Sequence, residues 1–246
     1  ITIDKDGEFL SARTVEKSEP KIIIPATEES AGRSGTKVCS HPLCDQLCYL
    51  APYNQEKYEY YVQQLGQWNA LEYSHPKLPS ILTYVKNGTI LEDLIHFGLI
   101  EVDEKGVPKD EKLLVRWRVE RGLEEESACW KDESLFEAFI EYYQMLHKGD
   151  KKDLCMLTGD MTRYAEQHPK GIIAFNANSK LISSNDTSGF TYLGRFTEKW
   201  QASGIGYEAS QEAHNILRWR AAQPGAQGVF GGRRFMCWNP QGRQEW

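Results

Sequence analysis

The sequence has no run that approaches the roughly 18 consecutive apolar residues needed to span a membrane. It also lacks the basic start and apolar stretch that mark a secretory signal peptide. No glycine run matches GxxxxGK[ST] or GxGxxG, so the common phosphate-binding loops are missing as well. These absences predict a cytoplasmic protein without a membrane partner, and they exclude the nucleotide-binding classes that depend on those loops.

Cysteine is also sparse, with 6 residues in a chain of 246. That number is too small for a disulfide scaffold, so free thiols and no cofactor are the first expectation. Cys39, His41, Cys44 and Cys48 nevertheless offer four zinc ligands within ten residues. No second pair of ligands follows downstream to let the chain turn around an ion. We therefore favour buried thiols, with a structural zinc on these four residues as the alternative.

Basic residues are in the minority, because the chain carries a formal charge of −6. This balance argues against a nucleic-acid footprint over the whole surface, since backbone binding needs local positive charge. The charge is also uneven. Residues 1–160 carry 19 Lys and Arg against 29 Asp and Glu, whereas residues 161–246 carry 10 against 6. An anion-binding site is thus expected in the C-terminal third or on a local patch such as Arg33 to Lys37.

Local patterns indicate both helices and hairpins. The first ten residues have the punctuation of a β-hairpin, and Val115 to Val119 alternate apolar and basic side chains as a half-buried strand does. Apolar residues at helical spacing follow two capping residues, Asn54 and Asp132. The second of these helices is predicted to end at Gly149 and to bury Leu135, Phe136, Phe139, Ile140, Tyr143 and Leu146.

Two shorter helices are expected between Leu78 and Val85 and between Ile90 and Phe97, each ended by a glycine. A late helix and a terminal hairpin, GGRRFMCWNP, complete the pattern. Segregated helices and short, mostly antiparallel strands predict an α+β fold of mixed small sheets with several amphipathic helices. A soft boundary near Lys148 to Asp153 would separate an N-terminal α+β region, residues 1–150, from a strand-rich region with one helix, residues 151–246.

One loop has the composition of a nucleic-acid contact. In AGRSGTK, two glycines let a backbone approach a groove closely, Arg33 and Lys37 supply charge, and Ser34 and Thr36 can donate to phosphate. Gln46 follows shortly and is an amide of the type that reads or wedges a base edge. The other interpretation is a mobile surface loop without a ligand.

A second stretch, HPKGIIAFNANSKLISSND, is dense in Lys, Asn and Ser, and GFTYLGRF interleaves aromatic residues with Arg195. Such side chains suit sugar-phosphate contacts, although Asn and Ser are also ordinary turn formers. The candidate contacts here are Lys170, Lys180, Asn185 and Arg195.

Five blocks between Cys155 and Pro240 identify a family. LCMLTGD, HPKGI, KLISSNDTSGFTYLGRF, GYEASQEAHNILRW and RRFMCWNP follow one another over about 85 residues. ITIDKDGEFL, KIIIP and LCDQLCYL precede them in the same order as in the family. In this arrangement the chain resembles the large subunit of the type I-C CRISPR surveillance complex, Cascade, which serves antiviral defence.

The resemblance implies the N-terminal portion of a longer protein, lacking the natural start and a C-terminal helical region. It implies a non-enzymatic subunit that reads the protospacer-adjacent motif in double-stranded DNA, helps to open the duplex and recruits the nuclease-helicase that cuts. The implied partners are target DNA, the guide RNA, the subunit at the 5′ end of the guide, and the backbone and small subunits.

The resemblance also implies which residues meet the DNA. The loop around Lys37 would contact the motif and Gln46 would wedge it, while Asp45 and Tyr49 shape the turn. Relatives have DN where this chain has Asp45 and Gln46, so the motif that they read is not transferred. The predicted nucleic-acid contacts are Arg33, Ser34, Gly35, Thr36, Lys37, Gln46, Tyr49, Lys170, Lys180, Asn185 and Arg195.

Two other functions stay open at the level of sequence. In the first, the chain is a zinc-stabilised module that bridges subunits of the complex without reading bases. In the second, it is a metal-dependent nuclease that uses Asp or Glu clusters. The nuclease is disfavoured because no acidic pair lies at a recognisable spacing beside the basic strips.

Overall fold

The structure is a computed structural model of the chain. It describes residues 1–16, 18–19, 22–33, 37–122, 125–172, 179–182, 193–223, 225, 227–231, 233–237 and 239, without the side chains of Lys199, Gln227, Val229 and Arg234. The chain divides into two compact units, Ile1–Lys148 and Gly149–Trp246. Helices and small antiparallel and mixed sheets occur together, which confirms the α+β fold. Within the described part of the chain, no helix has the length and apolar character to cross a membrane.

The first unit contains two small sheets and most of the helices. Its elements are β1 (Thr2–Asp4), β2 (Phe9–Ser11), α1 (Glu28–Ala31), β3 (Cys44–Gln46), α2 (Leu47–Leu50), α3 (Gln55–Ala70), α4 (Leu78–Asn87), α5 (Ile90–His96), β4 (Leu114–Arg116), β5 (Arg118–Glu120) and α6 (Glu133–Leu146). β1 pairs with β2 antiparallel, which confirms the first hairpin, and with β5 in parallel. β3 and β4 form a separate antiparallel pair.

Capping side chains define where the long helices begin. Asn54 accepts a hydrogen bond from the backbone N–H of Lys57, and Asp132 accepts one from that of Leu135, so both predicted caps are confirmed. α4 ends at Gly88, whose φ of 75° is left-handed. These local contacts satisfy backbone groups that the helices leave unpaired, and for this reason the sequence predicts them well.

The segment from Leu114 to Glu120 differs from the single predicted strand. It breaks at Trp117, so β4 joins one sheet and β5 joins the other. Val115, Trp117 and Val119 are buried while the arginines between them are half-buried, as the alternation predicted. The change of sheet depends on pairing with strands that are remote in sequence, and the local pattern of residues does not predict such pairing.

α6 buries part of the predicted face, and the buried stripe is shifted towards Tyr142. Leu135, Phe139, Tyr142 and Tyr143 are buried, whereas Ile140 and Leu146 are exposed. The buried stripe faces α3, because the Trp68 ring lies edge-on to Phe139 at 5.3 Å and stacks on Tyr142 at 5.6 Å between centroids. The choice between these overlapping helical stripes is therefore made by the partner helix, and the helix ends at Leu146 rather than Gly149.

The second unit has shorter elements. They are β6 (Lys152–Leu154), β7 (Met161–Arg163), α7 (Lys199–Ala202), α8 (Tyr207–Ala221), β8 (Gln227–Phe230) and β9 (Arg233–Met236). β6 pairs with β7 and β8 with β9, both antiparallel. The late helix is confirmed, and the terminal hairpin lies a few residues earlier than predicted, with Gly231 in its turn. Most of the stretch between residues 173 and 192 lies outside the described residues, and its described part, residues 179–182, contains no strand.

Candidate nucleic-acid interface

The candidate loop begins at a short, well-capped helix. Thr27 and Ser30 exchange hydrogen bonds at the start of α1, forming a capping box. The backbone N–H of Glu28 donates to the hydroxyl oxygen of Tyr143 on α6 at 3.0 Å. The chain that enters the loop is thus fixed to the core of the first unit.

Arg33 and Asp45 join the two ends of the loop through a bidentate ion pair. The guanidinium donates from Nη2 to Oδ1 at 2.8 Å and from Nη1 to Oδ2 at 2.9 Å. It also donates from Nη1 to the carbonyl of Cys39 at 2.8 Å and lies 4.7 Å from the centre of the Tyr49 ring. The side chain of Asp45 is fully buried and that of Arg33 is 16% exposed. Such parallel donors give both energy and a defined geometry.

The Asp45 carboxylate holds two backbone groups in addition to Arg33. The N–H of His41 donates to Oδ2 at 2.7 Å, and the N–H of Gln46 donates to Oδ1 at 2.7 Å. A buried carboxylate with these donors is satisfied without water. Arg33 and the backbone at His41 and Gln46 are therefore organised around one buried negative charge.

Contacts to α3 support the far side of the loop. The hydroxyl of Ser40 donates to Oε1 of Gln64 at 2.6 Å, and the hydroxyl of Tyr61 donates to the carbonyl of Pro42 at 2.9 Å. Because α3 is a helix of 16 residues, it provides a rigid base for residues 40 to 42. β3 then carries the chain to Gln46, which pairs with Leu114 of β4.

The predicted contacts of the first unit lie in different environments. Lys37 is exposed and Gln46 is half-buried at the junction of β3 and α2. Tyr49 is only 2% exposed, and both Arg33 and Lys57 lie near its ring. This burial leaves little of the Tyr49 side chain open to a ligand. The predicted residues Ser34, Gly35 and Thr36 lie outside the described residues.

The four candidate zinc ligands do not converge. Cys39 Sγ points towards the carbonyl of Glu29 at 3.6 Å, whereas Cys48 Sγ lies 3.5 Å from Nζ of Lys57. Burial raises the pKa of both thiols, raises that of Cys44 to about 11, and lowers the pKa of His41. Across the described ranges, no group of three or more His, Cys, Asp or Glu side chains is arranged to hold a metal ion.

Lys57 is a charged neighbour of the loop that the sequence did not single out. Lys57 lies on α3, and its Nζ is 5.4 Å from the centre of the Tyr49 ring. The lysine is one of several polar residues in the first turn of an amphipathic helix, so no local signal distinguishes it. Its position near Arg33 adds positive charge to the same region.

The second unit brings two of its predicted residues near each other. Burial lowers the pKa of Lys180, and the positive charge of Lys170 lowers it further. Arg218 on α8 donates to the carbonyl of Lys170 at 2.7 Å, which fixes that part of the chain. Arg195 is exposed and its guanidinium lies 5.2 Å from the Phe196 ring. Asn185 lies outside the described residues.

Comparison with known proteins defines the class of the chain as a CRISPR-associated, Cascade-type protein. A family model described as CRISPR-associated protein (Cas_Csd1) matches residues 1–245. The chain therefore belongs to the Cas_Csd1 family. No curated protein matches it.

Proposed function

We propose that this chain is the DNA-recognition portion of the large subunit of an RNA-guided type I-C surveillance complex. It reads the protospacer-adjacent motif in double-stranded DNA, aids duplex opening and recruits the nuclease-helicase, with the guide RNA, the 5′-end subunit and the backbone and small subunits as its other partners. Membership of the Cas_Csd1 family supports the setting. The anchored loop supports the role, since guided recognition leaves only a few base pairs for the protein to read.

The observation that carries the proposal is that Asp45 holds Arg33 inside the protein, while Lys37 and Gln46 have more accessible side chains. Arg33 is held by the buried carboxylate, so we assign it a positioning role instead of the predicted DNA contact. Lys37 is exposed between Arg33 and Asp45 in the sequence, and Gln46, which directly follows Asp45, is half-buried. We assign Lys37 to the phosphate backbone and Gln46 to a base edge, because a point charge positions DNA while an amide can specify a base.

We assign cutting of the DNA to the recruited nuclease-helicase, and no nucleophilic role to the cysteines around the candidate loop. The pKa values of Cys39, Cys44 and Cys48 are raised by burial, so these thiols stay protonated and are poor nucleophiles near neutral pH. Lys170, Lys180 and Arg195 offer a second set of backbone contacts in the unit that carries the positive net charge.

The test is binding of the assembled complex to a duplex library randomised beside the guide-matched target. Gln46→Ala should broaden the preference beside the target while the complex stays assembled. Lys37→Ala should weaken binding evenly across sequences and reduce its salt dependence. Gln67→Ala and Lys86→Ala are matched controls, because both residues are exposed on α3 and α4 of the same unit.

The alternatives predict other outcomes. Loss of assembly on substitution of Lys37 or Gln46 would identify a module that only bridges subunits. Cleavage of the duplex by the purified protein in the presence of a divalent metal would identify a nuclease. Either result would overturn the proposed function.

A further inference from the structure

The β8–β9 hairpin of the second unit exposes two aromatic rings on one face. Phe230 pairs with Arg233, and Gly228 pairs with Phe235. Because successive residues of a strand point to opposite faces, these four residues share one face of the hairpin. Phe230 is 82% exposed and Phe235 is 54% exposed. We call Gly228, Phe230, Arg233 and Phe235 the aromatic face.

The spacing on the aromatic face suits flat, stacked ligands. Phe230 and Phe235 are diagonal neighbours across the strand pair, a relationship that places side chains about 7–8 Å apart. Arg233 lies opposite Phe230 and is also exposed. A Cβ added at Gly228 would meet nothing within 4 Å, so the flank of Phe235 is open to a ligand.

The charge around this face indicates an anionic ligand. Between Ala213 and Gln244 the sequence contains five arginines and no Asp or Glu, although the whole chain has a charge of −6. Arg220 on α8 donates to the carbonyl of Cys237 at 3.3 Å, which ties the end of the hairpin to the helix. Trp219 of the same helix is 62% exposed. Arginine interleaved with exposed aromatic rings is a combination that proteins use to bind single-stranded nucleic acids.

We propose that the aromatic face binds single-stranded DNA. Phe230 and Phe235 each stack on an unpaired base, and Arg233 contacts the phosphate between them. Double-stranded DNA is a poorer ligand, because its bases are already stacked and must be extruded first. The choice of DNA rests on the proposed function, in which opening of the target duplex releases an unpaired strand. The face would then hold that strand after the motif has been read elsewhere.

The test measures the affinity of the full-length protein for a fluorescent oligothymidylate of about 20 nucleotides, which has no duplex and no motif. Replacing both phenylalanines by leucine keeps an apolar surface and removes the stacking rings. The affinity should fall by about 5-fold or more for each ring lost. The double tryptophan variant, Phe230→Trp with Phe235→Trp, should bind at least as well as the wild type.

Two further variants isolate the geometry and the charge. A Cβ at position 228 meets no atom within 4 Å, so Gly228→Val should be tolerated, and it should weaken binding because its side chain would lie against the open flank of Phe235. Arg233→Gln should lower the slope of log affinity against log salt by about 0.7. Leu181→Ala is the matched control, since it removes a side chain of the same unit that is 61% exposed and lies outside the aromatic face.

Several results would overturn the proposal. The leucine pair binding the oligonucleotide as tightly as the wild type would show that stacking is not involved. Loss of complex assembly with unchanged oligonucleotide affinity would identify a protein-docking face instead, and binding of oligouridylate but not oligothymidylate would identify RNA as the ligand. The proposed function can fail separately, because motif preference is measured on duplex DNA with variants of Lys37 and Gln46.

Discussion

Replacing Asp45 by alanine should release the candidate loop from the first unit. The change removes the acceptor for two hydrogen bonds from Arg33 and for the N–H groups of His41 and Gln46. Removing one partner of a buried ion pair costs about 3–5 kcal/mol, because the remaining charge stays buried without compensation. Since every 1.4 kcal/mol is a factor of ten, local opening should become more than about 100-fold more frequent.

Hydrogen exchange followed by mass spectrometry is the suitable assay, because it reports opening segment by segment. Peptides that cover Cys39 to Leu50 should exchange faster in Asp45→Ala, while peptides from the second unit should be unaffected. Glu101→Ala is the control, since it breaks an ion pair with Lys109 whose two side chains are both largely exposed. Exchange of the Cys39 to Leu50 peptides at the same rate in both variants would refute the role of the buried carboxylate.

Two further predictions concern other parts of the chain. His168 is buried, and burial lowers its pKa from 6.5 to about 4, so the unfolded chain takes up its proton first as the pH falls. The free energy of unfolding of the second unit should therefore be unaffected by this group above about pH 6.5 and should decrease from there towards pH 4. Urea titrations at several pH values should show that His168→Gln makes this decrease smaller. An equal dependence on pH in both proteins would contradict the argument. Gly7→Ala should destabilise the first unit more than Gly98→Ala, because both glycines have positive φ but only at Gly7 would the new Cβ lie 2.7 Å from the carbonyl oxygen of Ser80. Thermal unfolding compares the two, and the φ contribution alone is about 1–2 kcal/mol in each; equal shifts would show that the contact with Ser80 relaxes freely.

The sequence predicts elements whose determinants are local. Asn54 and Asp132 cap their helices through hydrogen bonds to residues three positions ahead, so the signal and its effect lie within one turn. The break at Trp117 is different, because β5 joins the sheet of β1 across more than a hundred residues. The buried face of α6 is likewise chosen by Trp68 on another helix.

The candidate site follows the same rule. Residue type predicted that Arg33 and Lys37 belong to one charged loop. It did not predict that Arg33 would be paired with Asp45 while Lys37 is exposed. Asp45, twelve residues further on, captures Arg33, and this pairing depends on β3 being placed by β4. The aromatic face was also not predicted, because the sequence indicated a hairpin without the register that brings Phe230 and Phe235 to the same side.

In the proposed function, the buried ion pair gives the acidic first unit a basic loop of defined geometry. A buried pair contributes little net stability compared with well-packed apolar residues, so its effect here is better understood as fixing one arrangement of the chain. Any slip of Arg33, His41 or Gln46 would leave the Asp45 charge with too few donors in a buried site. Gln46 then stands at a defined place directly after Asp45. In the proposed function RNA pairing reads most of the target, so one base-reading amide and one backbone contact suffice, whereas a broad basic surface would also bind unguided DNA.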